Sequence, residues 1–536
     1  MIEIPGDRVS LVVGVTGHRD IAAGDEAALR AAFGQALQRL SANRAHTPLL
    51  VLSGLAAGTD SLAAEEALAR NIPVVACLPM PVAEYENDFS PDELVRFRSL
   101  LSKCTRVAIV SPKRENGYVA LGRFIAQYSH LLVAFWDEDP SGGAGGTSEV
   151  VHMRLTSQPR SGPVLDVPYL PDAGPVEIII TPRSGARRSA DAYRAKRLYP
   201  KDFAREGQGF DAVLSRIDCY NADLSQRRGA VKRSTIRAMM KRTDDVANRL
   251  QRKTCYFQLL LFTVAFVAAG VQIFGFVPAI AKVLGVAIAL ITYWVARKHN
   301  YENRYQDYRA IAEGLRVQDA WDSAGLAHRL VDREYLRMQE GELQWIRMAL
   351  RFFYLVYCEG REHSHESQGR VESARWIHSQ RRYYYVARRR TARLRTWLER
   401  IPIYAIAIGA VLIILMIVAR PQLSLCALFW PFCSGKEGPV EIQQLGELLA
   451  APLVLGAALG AIVAHYSERA NVAANARRYD RMFCVFDRAA RDLPNVDKRR
   501  GRDFGEFIYE LGRMALIEHA EWLIMRRDTP MRVVLI

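Results

Sequence analysis

Short apolar runs recur through the N-terminal part of the chain, and a helical pattern follows most of them. The predicted strands are residues 10–15, 49–53, 74–78, 106–110, 131–136 and 177–181. Between the first two strands, Leu29, Phe33 and Leu37 recur at the spacing of one helix face. Strands that are apolar throughout and alternate with helices are typical of a parallel sheet covered on both faces. We therefore predict an α/β domain over residues 1–230.

Much longer apolar runs occupy the second half of the chain. They cover residues 257–275, 280–296, 401–419 and 448–465. Because roughly 20 apolar residues in a helix cross a bilayer core of about 30 Å, each run can span a membrane. We therefore predict an all-α membrane region of four transmembrane helices, paired into hairpins at 256–297 and 401–466. A helical linker at 231–255, a cytoplasmic helical segment at 298–400 and a helical tail at 467–536 complete the predicted organisation.

The chain of 536 residues carries a formal charge of +15, from 72 lysines and arginines against 57 acidic residues. Basic residues crowd the flanks of the apolar runs and are sparse in the loop within each hairpin. By the positive-inside rule, both termini and segment 298–400 face the cytoplasm, which predicts a multi-pass protein of the inner (cytoplasmic) membrane. Topology explains most of the charge, so nucleic acid is not a predicted partner. The N-terminus has no signal-peptide pattern, and no cleavage is predicted.

Three loops rich in glycine follow predicted strands, at residues 14–19, 53–60 and 142–149. We expect them to meet at the carboxyl edge of the sheet, where open α/β sheets bind their ligands. Glycines let backbone N–H groups approach a phosphate, and the following helix adds the positive end of its dipole. The alternative is that these glycines only form tight turns. The candidate ligand-binding residues are Gly14, Thr16, Gly17, His18, Arg19, Ser53, Gly54, Gly58, Asp60, Gly143, Gly145, Gly146, Thr147 and Glu149.

Several common sites are not indicated. No GxGxxG lies between a strand and a helix and no GxxxxGK[ST] occurs, so a standard dinucleotide or ATP site is not predicted. None of the eight cysteines has metal-site spacing. His363 and His365 are more typical of an exposed loop than of a metal site. Cys426 and Cys433 share the predicted outer loop and could form a disulfide there. We predict no catalytic residue, no metal and no cofactor.

The three loops lie in the motifs VGVTGHRD at 13–20, SGLAAGTDSLAAEEAL at 53–68 and GGAGGTSE at 142–149. With these motifs the N-terminal domain resembles the SLOG superfamily, a Rossmann-like group that includes DprA/Smf proteins and the LOG phosphoribohydrolases. The middle motif is the most specific, because DprA-like proteins carry a closely similar Ser-Gly-Leu-Ala block. The resemblance implies a Rossmann-like sheet that binds a nucleotide or a nucleotide-derived ligand.

The third motif departs from the LOG pattern GGxGTxxE, whose glutamate is catalytic. Glu149 stands two residues after Thr147, and Val150 takes the position of that glutamate. The arginine expected on the preceding helix is also out of register, with Arg123 displaced. Cleavage of an N-glycosidic bond in nucleotides, with Glu149 at the reacting centre and Arg19 or Arg123 on a phosphate, is therefore the alternative function. Whether the protein is an enzyme stays open, and we favour the interpretation that it is not.

SLOG-like domains joined to membrane helices are known as sensors in prokaryotic defence systems, and the arrangement here is similar to SLATT-type effectors. The resemblance implies that a nucleotide-derived second messenger gates or reorganises the four transmembrane helices and permeabilises the membrane in antiviral defence. The expected partners are this ligand, the lipid bilayer and further copies of the chain. Gly456 and Gly460 form a GxxxG motif, which predicts close helix contact within or between chains.

Several basic and aromatic segments leave alternatives open. The arginines and lysine from Arg183 to Arg197 either contact phosphate at the rim of the site or form a solvated surface. Residues 381–390 mix arginine with tyrosine, which suits RNA, but their closeness to the third span favours a membrane edge. Lys282 either lines a pore or snorkels to the interface. The aromatic residues of 301–315 and 345–355 predict a core between cytoplasmic helices.

Overall fold

A computed structural model describes most of the chain. The described residues are 2–42, 44–141, 143–158, 173–185, 190–200, 209–226, 235–273, 279–326, 328–336, 343–358, 366–419, 440–497 and 501–528. They divide into two compact units. Unit 1 contains Met1–Val246, Asp307–Glu366 and Gly512–Ala520, and unit 2 contains Ala247–Gln306, Ser367–Leu511 and Glu521–Ile536.

The core of unit 1 is a sheet of seven strands. The strands are β1 Leu11–Gly17, β2 Leu49–Ser53, β3 Val74–Leu78, β4 Arg106–Ile109, β5 Leu131–Trp136, β6 Val176–Ile180 and β7 Ala195–Leu198. Six of them were predicted, and each of the six is confirmed to within two residues at either end. Their side chains are almost all buried in β1, β2, β3 and β5, which explains why those segments are apolar without alternation.

The sheet has the strand order β4-β3-β2-β1-β5-β6-β7. All neighbouring strands are parallel except β6 and β7, which are antiparallel. From β1 the chain adds strands in one direction as far as β4, and it then crosses back so that β5 lies on the other side of β1. The switch point of the topology is therefore between β1 and β5, and ligands of open α/β sheets bind at such a point.

Strand β7 was not predicted. Its residues read Ala-Lys-Arg-Leu, and it lies at the edge of the sheet beside β6. The Arg197 side chain bonds the carboxylate of Glu177, which is buried in β6 and also accepts a bond from Arg39. A charged edge strand lacks the apolar pattern on which strand prediction depends, and it protects the sheet from pairing with other chains.

Helices connect the strands of unit 1. They are α1 Glu26–Ser41, α2 Thr59–Ala69, α3 Val82–Tyr85, α4 Pro91–Lys103, α5 Gly117–Tyr128, α6 Thr147–Thr156 and α7 Gly209–Ser225. The predicted face of α1 is confirmed, because Leu29, Phe33 and Leu37 are all buried. Helix α4 begins at Pro91, directly after its N-cap residue Ser90. Ser90 and Glu93 form a capping box, in which the Ser90 backbone N–H donates to the Glu93 carboxylate.

The remaining helices follow in the second half of the chain. They are α8 Ile236–Ile273, α9 Ala279–His299, α10 Tyr301–Ser323, α11 Val331–Glu334, α12 Gln344–Tyr357, α13 Glu366–Ala419, α14 Val440–Arg469, α15 Val472–Asp497 and α16 Gly501–Asp528. Most of α10, together with α11 and α12, belongs to unit 1. The aromatic residues of this segment are buried, since Tyr308, Trp345 and Phe352 are at most 1% exposed.

Two helical stretches in the described part of the chain, Gln368–Leu415 and Ala451–Val496, are long and apolar enough to cross a membrane by length and composition. They overlap the third and fourth predicted spans, whereas the first and second predicted spans are not among the stretches found in the described residues. In the apolar window of the first stretch only 6% of the residues are buried, and in that of the second only 17%. A core helix of a soluble protein would be mostly buried, so these exposed apolar surfaces are compatible with lipid.

The GxxxG motif of α14 packs against α13 within the chain. A Cβ atom on Gly456 would lie 3.2 Å from the carbonyl oxygen of Ala405, and one on Gly409 would lie 3.0 Å from that of Pro452. Small residues on both helices therefore allow their backbones to approach closely.

Some sequence predictions fall outside the described residues. They concern the turn of the first hairpin at 274–278, the side chain of Lys282, Arg187, Arg188, His363, His365, Cys426 and Cys433.

Candidate functional site

A cavity of about 290 Å³ opens at the carboxyl edge of the sheet in unit 1. It lies at the switch point, because its walls include the residues that follow β1 and β5 and the first residues of α6. All three predicted glycine loops contribute to it. The lining residues that the sequence predicted are Thr16, Gly17, His18, Arg19, Asp60, Gly145, Gly146 and Thr147.

The other predicted residues support this cavity and do not line it. Gly14 lies within β1, where a Cβ atom would be 1.8 Å from the Ser129 hydroxyl oxygen. The Ser53 hydroxyl donates to the carbonyl of Asp60 at 2.9 Å, and the Gly54 carbonyl accepts from the Tyr85 hydroxyl at 3.1 Å. The carbonyl of Gly143 accepts from the backbone N–H of Gly146 at 3.0 Å. Gly58 and Glu149 also hold loops together.

Gly58 joins the first two loops. Its φ is +86°, and a Cβ atom there would lie 2.4 Å from the carbonyl oxygen of Arg19 and 2.6 Å from that of His18. The next residue, Thr59, donates to the His18 carbonyl through both its backbone N–H and its hydroxyl. Only glycine combines this backbone conformation with so close an approach.

His18 connects the loop after β1 to the end of β5. Its Nε2 lies 3.2 Å from the backbone nitrogen of Asp137 and 3.1 Å from that residue's carboxylate, which also accepts a bond from Arg183 at 2.7 Å. Burial lowers the pKa of His18, although the charge of Asp137 acts in the opposite direction. The backbone N–H of Asp137 donates to this Nε2, so His18 fixes the end of β5 to the loop after β1.

Arg19 is exposed at the rim of the cavity and is held by the aromatic ring of Tyr118. Its Nη2 donates to the Tyr118 hydroxyl at 3.0 Å, and its guanidinium carbon is 5.2 Å from the ring centroid. That hydroxyl in turn donates to Asp88, which Arg114 also contacts. Burial works against the ionised form of Asp88, but the hydrogen bonds from Tyr118 and Arg114 lower its pKa. The guanidinium is thus positioned before any ligand arrives.

Asp60 lines the cavity and is 8% exposed. Burial raises its pKa to about 7, against the opposing effects of Arg19 and the N–H groups of Gly54 and Ala56. One of its carboxylate oxygens, Oδ1, is buried without a hydrogen-bond partner among the described residues.

The first turn of α6 forms another wall. Gly145, Gly146 and Thr147 all line the cavity, and Thr147 is the first residue of the helix. The N–H groups of Gly145 and Gly146 already donate to Glu149 and to Gly143. The positive end of the α6 dipole therefore supplies the attraction of this wall for an anionic group.

Several residues of the site were not predicted from the sequence. Tyr85, Tyr118 and Leu121 come from α3 and α5, and Trp136 from the end of β5. The signal available for Trp136 was position alone, because it ends a predicted strand. Arg183, which follows β6, belongs to the basic stretch that the sequence indicated as a possible phosphate contact. Of the basic stretch, Arg183 lines the cavity, whereas other members bond acidic residues outside it.

Glu149 is buried in α6 and does not line the cavity. Its Oε2 accepts a hydrogen bond from the backbone N–H of Gly145, so it holds the third loop against the helix. Gly145 itself has a φ of +77° and contacts the backbone of α5 at Tyr118. Glu149 therefore holds the third loop in place and does not line the cavity.

We expect Glu149→Gln to bind ligand much more tightly than Glu149→Ala, because glutamine keeps an oxygen for the Gly145 N–H. Loss of that acceptor should cost about 1–3 kcal/mol of stability in the alanine variant. Melting temperature and ligand affinity of the two variants measure the difference. Release of free base from nucleotides by the wild type, abolished in Glu149→Gln, would instead support the hydrolase alternative.

No protein-family model matches this chain, and comparison with curated proteins finds no significant similarity. The geometry of the cavity and the chemistry of its walls therefore indicate what the protein binds.

Proposed function

We propose that the protein is a membrane effector whose unit 1 binds a nucleotide or nucleotide-derived ligand. The observation that carries this proposal is that all three glycine loops converge with the start of α6 on one cavity at the switch point. The sequence motifs of these loops resemble those of SLOG domains, which supports the same class of ligand.

The walls of the cavity suit such a ligand chemically. The α6 N-terminus and Arg19 favour a phosphate, while Tyr85, Leu121 and Trp136 offer an apolar surface for a base. The volume of about 290 Å³ is near the lower end of ligand pockets, which run from roughly 300 to 1,000 Å³. A ligand with one nucleotide-sized group therefore fits better than an extended oligonucleotide.

The output of the proposed effector is in the membrane. In addition to the two apolar stretches, helix α9 exposes Ile280, Val283 and Trp294, which are 71%, 67% and 59% accessible. We include α8 and α9 as a first hairpin, giving four spans with both termini in the cytoplasm. The bilayer would cover these exposed apolar side chains, as water does not favour them.

Coupling between sensing and output requires a ligand that binds one conformation of the protein more tightly than another. Helix α8 begins in unit 1 and continues into unit 2, and its apolar part is the first proposed span. We propose that ligand binding shifts this helix and its neighbours in an oligomer and opens a path for ions. By analogy with defence-associated SLOG proteins, the loss of the ion gradient would limit viral replication.

The test is ion leakage from liposomes that contain the purified full-length protein. AMP, ADP, ADP-ribose, NAD and cyclic nucleotides are added singly, and binding to each is measured in parallel by calorimetry. We expect at least one of them to bind and to cause leakage. If probes bind but none of them causes leakage, the effector function is contradicted. If none of the probes binds, the proposed class of ligand is contradicted.

Arg19→Ala should weaken binding of the active probe roughly tenfold to hundredfold, because a charge-assisted hydrogen bond to phosphate is lost. Arg123→Ala is the matched control, since Arg123 is an exposed arginine of α5 that does not line the cavity. An equal loss of affinity in both variants would show that Arg19 contributes only to the net positive charge of the domain and does not contact the phosphate.

A further inference from the structure

One wall of the cavity contains an unsatisfied acceptor. Asp60 is more than nine-tenths buried, lines the cavity, and has no hydrogen-bond partner for Oδ1 in the described part of the chain. Its other oxygen, Oδ2, faces the backbone of the second loop, since a Cβ atom on Gly54 would be 2.9 Å from it. Buried polar atoms of native proteins nearly always have a partner, so Oδ1 is available to a donor of a ligand in the cavity.

Neighbouring polar groups are already engaged. The Tyr85 hydroxyl, which faces Asp60 from α3, donates to the Gly54 carbonyl at 3.1 Å. Arg19, which faces it from the loop after β1, donates to Tyr118 at 3.0 Å. Leu121 and Ile125 of α5 add apolar surface to the cavity. Oδ1 is therefore a single acceptor in surroundings that offer little competition for a ligand donor.

We propose that Asp60 is the residue that selects the ligand, by accepting a hydrogen bond at Oδ1 from an O–H or N–H group of its nucleoside part. The inference rests on the proposed function, in which the phosphate lies at the start of α6. The ligand would thus be held by two features of the cavity: the α6 N-terminus, which attracts any phosphate, and the Asp60 acceptor, which requires a donor. Ribose hydroxyls and base amino groups are the donors that a nucleotide carries.

A dependence of binding on pH follows from this arrangement. Burial raises the pKa of Asp60 to about 7, so that the carboxylate is half protonated at neutral pH. The charged groups that face it are Arg19 and, through Tyr85 and Tyr118, Asp88. Because the ionised form is the stronger acceptor, a ligand that donates to it favours loss of the proton. Affinity should therefore rise about tenfold from pH 6 to pH 8 and level off above that.

The experiment compares wild-type full-length protein with Asp60→Asn, which is nearly isosteric and cannot ionise. The probes are AMP, 2′,3′-dideoxyadenosine monophosphate, ribose 5-phosphate and inorganic phosphate, each titrated by calorimetry from pH 6 to pH 8. The N–H groups of Gly54 and Ala56 face Oδ2, so the amide oxygen of Asp60→Asn takes that side and its NH2 group, a donor, replaces Oδ1. We therefore expect Asp60→Asn to bind AMP roughly tenfold to hundredfold more weakly, without the pH dependence of Asp60, while its binding of inorganic phosphate is unchanged. The dideoxy probe and ribose 5-phosphate show whether the base or the ribose supplies the donor.

Failure of this inference and failure of the proposed function give different results. If Asp60→Asn binds AMP as tightly as the wild type, with the same pH profile, Oδ1 does not contact the ligand and the selection role is wrong. If the wild type binds none of the four probes, the proposed class of ligand fails and the inference fails with it. Equal melting temperatures of the two proteins exclude a loss of folding as the cause of weaker binding.

Discussion

Gly58→Ala is expected to abolish ligand binding and to destabilise unit 1 by about 3 kcal/mol or more. The substitution combines two effects. A non-glycine residue at φ +86° is strained, and its Cβ atom would lie 2.4 Å from the Arg19 carbonyl and 2.6 Å from the His18 carbonyl. The loop after β1 would have to move away from α2, and His18 and Arg19 would move with it. Calorimetry with an active probe and thermal unfolding measure the two consequences.

Two other glycines of unit 1 provide controls for this prediction. Gly185 also has a positive φ, +77°, but has open space around its Cβ position, so Gly185→Ala reports strain alone. Gly143 has open space and no positive φ, so Gly143→Ala should change stability by less than about 1 kcal/mol. If Gly58→Ala is no more damaging than Gly185→Ala, the close approach of the two loops does not matter for the site.

The same loops show how far the sequence can predict a site of this kind. Apolar strands and the glycine turns after them were sufficient to predict the sheet and the edge at which its loops meet. The described structure brings Thr16, Arg19, Asp60 and Thr147 to one cavity. The loops meet there because parallel strands place their carboxyl ends at one edge irrespective of the details of packing.

Residues from other elements could not be predicted in this way. Tyr85 and Tyr118 reach the cavity from helices, and the sequence does not indicate which face of a helix lies against a ligand. The sequence also did not show which predicted residues line the cavity and which only support it. Gly58 and Glu149 lie in the predicted loops together with Arg19 and Thr147. Gly58 has a structural role because of its positive φ, and Glu149 because it accepts a hydrogen bond from the Gly145 N–H.

The hydrophobic pattern of the sequence did not show that a distant segment belongs to unit 1. The segment Asp307–Glu366 lies more than 100 residues from the sheet strands in sequence but belongs to the same compact unit. Its aromatic spacing predicted a core between cytoplasmic helices and gave no indication of contact with the sheet domain. Aromatic and polar contacts both join it to that domain: the Trp345 ring lies 5.7 Å from that of Tyr220, and His130 Nε2 lies 3.2 Å from the Met348 carbonyl. Burial lowers the pKa of His130 to about 3, so its ring stays neutral in this environment.

Asp332→Ala is expected to destabilise unit 1 by about 3–5 kcal/mol, because it leaves a buried arginine without its carboxylate. Arg351 and Asp332 are 3% and 2% exposed, and Arg351 Nη2 lies 2.7 Å from Asp332 Oδ2. The same guanidinium donates to the carbonyl of Gln127 at the end of α5 at 2.9 Å. The pair therefore joins α11 and α12 to the helix whose other end carries Tyr118. Denaturant unfolding followed by tryptophan fluorescence measures the loss, since Trp345 of α12 is buried.

A second variant separates the stability that the ion pair contributes from the destabilisation that a buried unpaired charge causes. In Arg351→Met combined with Asp332→Leu, both charges are replaced by apolar groups, and we expect the double variant to be more stable than Asp332→Ala. The exposed pair Arg194 and Asp191 is the control, because their side chains are 75% and 59% accessible and Asp191→Ala should cost less than about 1 kcal/mol. A loss in Asp332→Ala no larger than in Asp191→Ala would mean that water reaches Arg351. The attachment of α12 to α5 would then depend on aromatic contacts such as the stacking of Tyr354 on Tyr128, with ring centroids 6.5 Å apart, and not on this charge.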